Sequence, residues 1–330
     1  MAKPRILLVG GAGYIGSVCG LSLAQAGFHV STLDDLSTGH REAAAGQLYV
    51  ADLLKPEHLA PVFADAQPDA VLHFAARSIV GESVRKPLDY FHANVTGTLN
   101  LLNAMRDAGC ARMVFSSTCA VFGHPVRLPL DEDHPRQPLN PYGHTKEMIE
   151  RILEACRERE GMSVAVLRYF NAAGAMEDGQ LGEVHLPETH LIPLALDACL
   201  GRRPPLSVFG TDYDTPDGTC VRDYVHVEDL ADAHRLALQQ LLEGSRGRDY
   251  NLGTGRGTSV REVLDTIATV TGTPVPHSDA ERRPGDAPAL YAAADRAAEE
   301  LGWRAQRSFT DIVRTAAQWA ERPRFGPNAG

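Results

Sequence analysis

The 330-residue sequence predicts an α/β fold, a doubly wound parallel sheet with a smaller C-terminal α/β lobe, and three observations carry that prediction. Short apolar runs alternate with helix-length segments through the first half of the chain, the rhythm of βαβ units. Runs such as ILLV and AVLHF are apolar without alternation, as strands covered on both faces require. The first run passes directly into a glycine-rich turn and then a helical pattern.

In chain order, strands are predicted at residues 6–9, 28–33, 47–50, 70–74, 113–116 and 164–169. Helices are predicted between them at 14–26, 56–66, 94–108 and 142–159. After Phe170 the rhythm breaks: 172–188 reads as a long loop, 191–200 as a short helix, and GTDYDTPDGT at 210–219 as turns. Helical patterns return at 229–242 and 260–271. The expected division is a dinucleotide-binding domain over 1–175 and a smaller substrate domain over 176–330, with the helix near 229–242 able to pack back on the first.

Composition narrows the function classes. A hydrophobic fraction of 44% and a charged fraction of 22% are ordinary for a chain that buries a core. The formal net charge of −10 opposes nucleic acid and anionic membrane, so a phosphate-bearing ligand must be held by a local site. Six scattered cysteines without a CxxC pair fit a reducing, cytoplasmic setting better than a disulfide framework. Residues 6–9 are flanked by charge and glycine, which does not fit a signal peptide, and no apolar run is long enough to span a bilayer. Thirteen histidines form no HxH or HExxH, so no catalytic metal is expected.

The segment RILLVGGAGYIGSV places Gly10, Gly11, Gly13 and Gly16 after the first strand. Glycines there let a pyrophosphate approach the amides of a helix N-terminus, although a tight strand-to-helix turn alone also calls for glycine. The second strand ends in Asp34-Asp35, about 20 residues on, where a carboxylate meets the ribose hydroxyls of a Rossmann-bound dinucleotide. That charge repels a 2′-phosphate and favours NAD over NADP. Asp52, closing the third strand, is placed to meet the adenine, or else serves as a turn residue.

Chemistry is expected where RMVFSST ends in Thr118 and where NPYGHTKEMIE opens a helix. Tyr142 and Lys146 stand one turn apart on one helix face. A free tyrosine titrates near 10, so it serves as a base at neutral pH only if positive charge stabilises the phenolate. The Thr118 hydroxyl can share the substrate proton. A Tyr and a Lys four apart on an amphipathic helix also arise by chance, and it is the preceding strand–glycine–acid pattern that favours the catalytic reading.

The stretches GGAGYIG, FSSTCAVFG, NPYGHTKEMIE, RYFNAAGA, VFGTDYDTPDGTCVRDYVHVEDLADAH and RRPGDAP, in that order, resemble the extended short-chain dehydrogenase/reductases. Within them, from about residue 5 to 304, the sequence is most similar to the UDP-glucose 4-epimerase group. The resemblance implies a Rossmann fold, NAD as cofactor, a UDP-sugar as substrate, a homodimer formed through a helix bundle that includes 94–108, and a reaction through a transient 4-keto sugar. In it Tyr142 is the base, Lys146 and Thr118 its partners, and bound NAD the hydride carrier.

The same resemblance implies the contacts. Gly10, Gly13, Tyr14, Ile15 and Gly16 would meet the cofactor from the glycine turn, and Asp34, Asp35, Leu36, Ser37, Thr38 and Gly39 from the loop after the second strand. Asp52, Leu53, Phe74, Ala75, Ala76, Ser78, Asn94, Thr118, Tyr142, Lys146 and Phe170 complete that set. The substrate would meet Thr118, Tyr142, Asn171, His190, Leu191, Ser207, Val208, Phe209, Arg222, Arg283, Asp286 and Leu290. Two arginines can fork onto a diphosphate while an acid takes ribose hydroxyls; whether Arg282 or Arg283 is the second is open. Ser78, His190 and Leu290 depart from some family members, which have lysine, asparagine, and tyrosine or cysteine there; only the third bears on substrate range.

Three other readings share parts of the pattern. A 4,6-dehydratase typically carries Thr-Asp-Glu at the strand end, whereas Thr118 is followed by Cys119 and Ala120. A hexuronate 4-epimerase would need a basic contact for the sugar carboxylate, for which Arg77 is a candidate. An NAD-binding sensor without chemistry has no need of both Tyr142 and Lys146.

Overall fold

The computed structural model describes residues 3–283 and 285–329. The first half builds β1 (Arg5–Val9), α1 (Tyr14–Gln25), β2 (His29–Asp34), β3 (Gln47–Val50), α2 (Pro56–Ala66), β4 (Ala70–His73), α3 (Val80–Arg85), α4 (Pro87–Tyr90), α5 (Gly97–Asp107), β5 (Arg112–Thr118), α6 (Pro141–Arg159) and β6 (Ser163–Tyr169). There follow β7 (Asn171–Ala173), α7 (Leu191–Cys199), β8 (Leu206–Phe209), β9 (Val221–Arg222), β10 (Tyr224–His226), α8 (Val227–Leu242), β11 (Asp249–Leu252), β12 (Thr258–Ser259), α9 (Val260–Thr271), β13 (His277–Ala280), β14 (Ala289–Leu290) and α10 (Phe309–Glu321). Among the described residues, no helix is long and apolar enough to cross a membrane.

Seven parallel strands form the central sheet in the order β11-β6-β5-β4-β1-β2-β3. The continuous apolar runs have the expected cause. Ile6, Leu8, Leu72 and Val114 bury into one core with residues of α1 and α8, while Leu7, Val9, Val71 and Phe115 bury into another with residues of α2, α5 and α6. Each such side chain contributes roughly 1.5–3 kcal/mol by leaving water. The chain winds outward in both directions from β1, whose neighbours are β2 and β4, so a crevice opens above the carboxyl ends of those strands.

The expected boundary near 175 is crossed by the later chain. Helix α8 packs on α1, and β11 pairs with β6 as an edge strand of the same sheet. Only four residues long and written DYNL, β11 offers too little apolar pattern to be seen in sequence. Its position is held by the Asn251 amide, which donates from Nδ2 to the Leu130 carbonyl at 2.9 Å, and by the Asn251 backbone N–H, which donates to Glu132 at 2.8 Å. The remaining segments bury a separate core in which α7, α9 and α10 pack against β8 and β10. Capping boxes begin α9 at Ser259 and α10 at Ser308, and α9 stops at Gly272, whose φ is 70°.

Two further differences bear on the site. The segment read as a loop over 172–188 contains β7, which pairs with β10, and a bridge from Ala175 to Gly182. The helix expected over 94–108 begins as a π-helical stretch, Phe91–Thr96, before α5. Such widened turns are frequent at functional sites, and this one carries Asn94.

Candidate active site

The glycine turn separates structural from ligand-driven requirements. At Gly10, φ is +79° and a Cβ would lie 2.4 Å from the Ala75 amide nitrogen; at Gly16 a Cβ would lie 2.4 Å from the Gly10 carbonyl. Both are glycine because the backbone packs there. Gly13 differs: its φ of −81° suits any residue, and a Cβ would meet nothing closer than 3.5 Å. The space beside it faces the N-terminus of α1, which has no side-chain cap and no acidic residue in its first turn. Free amides, a helix dipole and room for close approach fit a pyrophosphate.

Asp34 is buried at the end of β2, with its carboxylate accepting from the Ala12 amide at 3.0 Å and the Leu36 amide at 2.9 Å. Burial pushes its carboxyl up, and those two amides pull it back. Asp34 thereby joins the glycine turn to the loop carrying Leu36, Ser37, Thr38 and Gly39, and has acceptor capacity left for ribose hydroxyls. Asp35 is exposed and accepts from the Ser37 amide and hydroxyl, so it shapes the loop. Asp52 accepts from the Leu54 amide at 2.9 Å, the turn role weighed for it, and stays half-buried beside Leu53.

The opposite wall comes from β4 and the π-helical turn. The Phe74 and Ala75 amides both donate to the Val9 carbonyl, which brings 74–76 against the glycine turn. Asn94 is fully buried, and its side chain accepts from the Arg77 amide at 2.8 Å and donates to the Arg77 carbonyl at 3.0 Å and the Thr145 hydroxyl at 2.9 Å. It stitches that wall to α6. Ser78 is exposed. Tyr14 donates to the Gly174 carbonyl at 2.5 Å and, with Ile15, packs against the core.

Thr118, Tyr142 and Lys146 come together above the end of β5. Helix α6 is placed by Asn140, which caps it by accepting from the Gly143 amide, and by Pro141 in its first turn. Gly143 lets α6 lie close, since a Cβ there would be 2.6 Å from the Ala120 carbonyl. The half-buried Tyr142 phenol is pushed up to about 12 by burial, with the Thr118 hydroxyl pulling it down. Lys146 is buried, donates to the Ser116 carbonyl at 2.8 Å and stands 4.8 Å over the Phe115 ring. Burial pulls it down to about 7, opposed by Glu150 one turn on. In the protein alone, then, the phenol is neutral at pH 7, and a base at this position requires added positive charge.

The candidate substrate residues divide. Arg222 donates to the Val221 and Ala287 carbonyls and lies 3.7 Å from Asp286. The Arg283 guanidinium stacks 4.7 Å over the exposed Phe209 ring. Arg282 instead donates to Asp212 and lies 4.3 Å over Tyr213, which commits it elsewhere and favours Arg283 as the second basic contact. Leu290 sits opposite Arg222 in the β14–β9 register and packs with Cys119 against the cluster containing Phe170. Asn171 begins β7, where its amide donates to the Asp223 carbonyl, and Leu191 is the first residue of α7. Along β8, Ser207 is exposed and Val208 is buried in the lower core, so Val208 can offer only backbone. His190 turns toward Glu183 and Glu188.

Two buried hubs were not foreseen from sequence. Glu150 accepts from Arg168 through Nε and Nη2, from Ser117 at 2.5 Å and from Arg136 at 3.0 Å, directly behind the end of β5. Its place one turn beyond Lys146, on the same face of α6, was the available signal. Asp223 accepts from the Thr254 and Gly255 amides, the Thr254 hydroxyl and the Ala292 amide, pinning the 253–255 turn beside β14.

Residues 6–253 match the NAD dependent epimerase/dehydratase family. The chain is 51% identical over 321 residues to a UDP-glucose 4-epimerase of Azospirillum brasilense, covering 96% of this chain and 92% of that one. Its structure is similar to that of the UDP-glucose 4-epimerase from Brucella ovis in complex with NAD, with a TM-score of 0.93 and 48% identity over 96% of this chain and 98% of that chain. It is similar also to the UDP-glucose 4-epimerase from Bifidobacterium longum in complex with NAD+ and UDP, with a TM-score of 0.91 and 36% identity over 96% and 98% of the two chains.

Proposed function

Since the chain belongs to the NAD dependent epimerase/dehydratase family, we propose that it interconverts UDP-glucose and UDP-galactose by inverting C4 of the hexose. The observation that carries this reading is the placement of Tyr142, Thr118 and Lys146 above the end of β5, beside a glycine turn open to a dinucleotide. Conversion of UDP-galactose to UDP-glucose by the purified protein, resolved by chromatography, tests it; an unchanged nucleotide sugar rejects it.

The C4–H of a hexose is not acidic, so inversion proceeds by oxidation to a 4-keto sugar. NAD, held along the glycine turn and Asp34, would supply hydride acceptance and return and would add positive charge in its oxidised form. Tyr142 takes the proton from the C4 hydroxyl and later gives it back, and the Thr118 hydroxyl orients that exchange. Lys146, held by the Ser116 carbonyl and buried one turn below, adds positive charge when protonated and favours the phenolate. The sugar must present its other face between the two transfers, so the grip has to fall on UDP. Arg222 and Arg283 serve the diphosphate, Asp286 the ribose and Phe209 the stacked wall.

Asp34 supports NAD over NADP, because a buried carboxylate beside a 2′-phosphate is repulsive. Mass spectrometry of the denatured protein is expected to find NAD(H); NADP alone would overturn the assignment of Asp34. We hold the protein to be cytoplasmic, supported by six free thiols, and homodimeric, supported by exposed apolar side chains at Val84, Leu88 and Leu99 on α3, α4 and α5.

A second substrate pair is favoured by one side chain. Leu290 packs against the same cluster as Cys119 and lies opposite Arg222, and it is shorter than a tyrosine would be. Epimerisation of UDP-N-acetylglucosamine is therefore expected alongside that of UDP-glucose. Leu290→Tyr should lower the N-acetyl activity selectively, by about 10–200-fold for a steric contact of this kind. Equal loss on both substrates would place Leu290 outside the sugar pocket.

A further inference from the structure

In the loop that leads into α7, four side chains converge, of which only His190 is also among the substrate contacts that the resemblance implies. We propose that Glu183, His185, Glu188 and His190 form a binding site for one zinc ion. Each offers one nitrogen or oxygen, and these four atoms lie within 4.8 Å of one another.

The contacts within the cluster point inward. His190 Nδ1 is 2.5 Å and His185 Nδ1 3.1 Å from the same Glu183 oxygen, while Glu188 oxygens stand 3.5 Å from His185 Nδ1 and 3.3 Å from His190 Nδ1. The Glu183 side chain is only 6% exposed, and its Oε1 faces the two imidazoles. A metal ion entering this space would displace the protons shared between these nitrogens and oxygens and draw them out to ligand spacing. The Glu188 carboxylate is oriented from outside by the Thr189 amide at 2.7 Å and the His190 amide at 2.8 Å, as ligating carboxylates usually are.

Donor chemistry selects the ion. Two imidazole nitrogens and two carboxylate oxygens, without thiolate, suit four-coordinate zinc at about 2.0–2.2 Å. Calcium and magnesium want more oxygens than the cluster supplies. The two carboxylates balance the ion's charge, and the exposed His190 gives it a way in. The four lie close together in sequence, as E-x-H-x-x-E-x-H, a spacing that is neither HxH nor HExxH. His185 also packs edge-on to Tyr14 at 6.3 Å, and His190 is the N-cap of α7. A bound ion therefore ties the loop to both the cofactor helix and the substrate side.

The test uses the full chain with its retained cofactor, stripped of metal by a chelator and titrated with zinc against a chromophoric competitor. One zinc per chain is expected, with a rise in Tm on zinc addition. The double variant His185→Gln/His190→Gln should lose affinity by at least the ~10–100-fold that even an outer partner costs, together with that rise. Should the double variant not fold, cobalt(II) added to the wild type decides: the intense visible bands of a four-coordinate site support the proposal. A six-coordinate cobalt spectrum, or zinc affinity equal to that of a folded double variant, overturns it and leaves a set of ion pairs.

Discussion

Replacing Tyr142 with phenylalanine lowers kcat by ~10²–10⁴-fold, the usual contribution of a general acid–base group, while KM and retained NAD change little. The substitution removes one hydroxyl and leaves the ring between α6 and β5. The phenol is half-buried, and the Thr118 hydroxyl draws its proton affinity down. Loss confined to kcat separates proton transfer from sugar binding. Thr118→Val, which keeps the branched shape and deletes the second hydroxyl, should give a smaller loss on the same parameter. Turnover near wild type in the phenylalanine variant would remove Tyr142 from the mechanism.

Glu150→Ala is expected to cost about 3–5 kcal/mol of stability, the range for breaking a buried ion pair on one side. Glu150 is fully buried and Arg168 is 2% exposed, and Arg168 donates to both Glu150 oxygens. Without the carboxylate a guanidinium stands behind β5 with Asp249, at 2.8 Å, as its remaining ion-pair partner among the described residues. The outer members of the network survive, because Arg136 keeps Glu154 at 2.8 Å and Asp249 keeps Arg157 at 2.9 Å. Removing both charges, in Glu150→Leu/Arg168→Met, should therefore destabilise less than Glu150→Ala alone. Denaturant unfolding of the three proteins checks the order. A single variant as stable as the double would show that the unpaired guanidinium is not what costs stability.

The elements legible in the sequence were those whose local pattern and tertiary role agree. The apolar runs of β1 and β4, the glycines before α1, and the Asn140-Pro141 start of α6 each state their own structure. Strand β11 and the two-residue strands β9, β12 and β14 were hidden, because short polar strands owe their existence to partners far along the chain. The return of β11 to the first layer was hidden for the same reason, whereas the sequence already allowed the helix near 229–242 to pack back there. Within the site, residue types that announce chemistry, such as Tyr142, Lys146 and Asp34, could be read directly. Glu150 and Asp223 act through contacts that other strands and loops complete, so their own segments give little signal beyond the place of Glu150 one turn past Lys146, and the Glu183–His190 cluster, though local in sequence, follows neither HxH nor HExxH.

Oxidation and return of hydrogen at C4 is tested by isotopic labelling at that carbon. UDP-galactose carrying deuterium at C4 is to be incubated with the purified protein in ordinary water, without added cofactor, and the UDP-glucose formed examined by mass spectrometry and NMR. Retention of deuterium at C4, with no hydrogen from solvent in its place, is the predicted result. UDP-glucose in which the C4 deuterium has been replaced from water, or a dehydrated keto product in place of UDP-glucose, would contradict it.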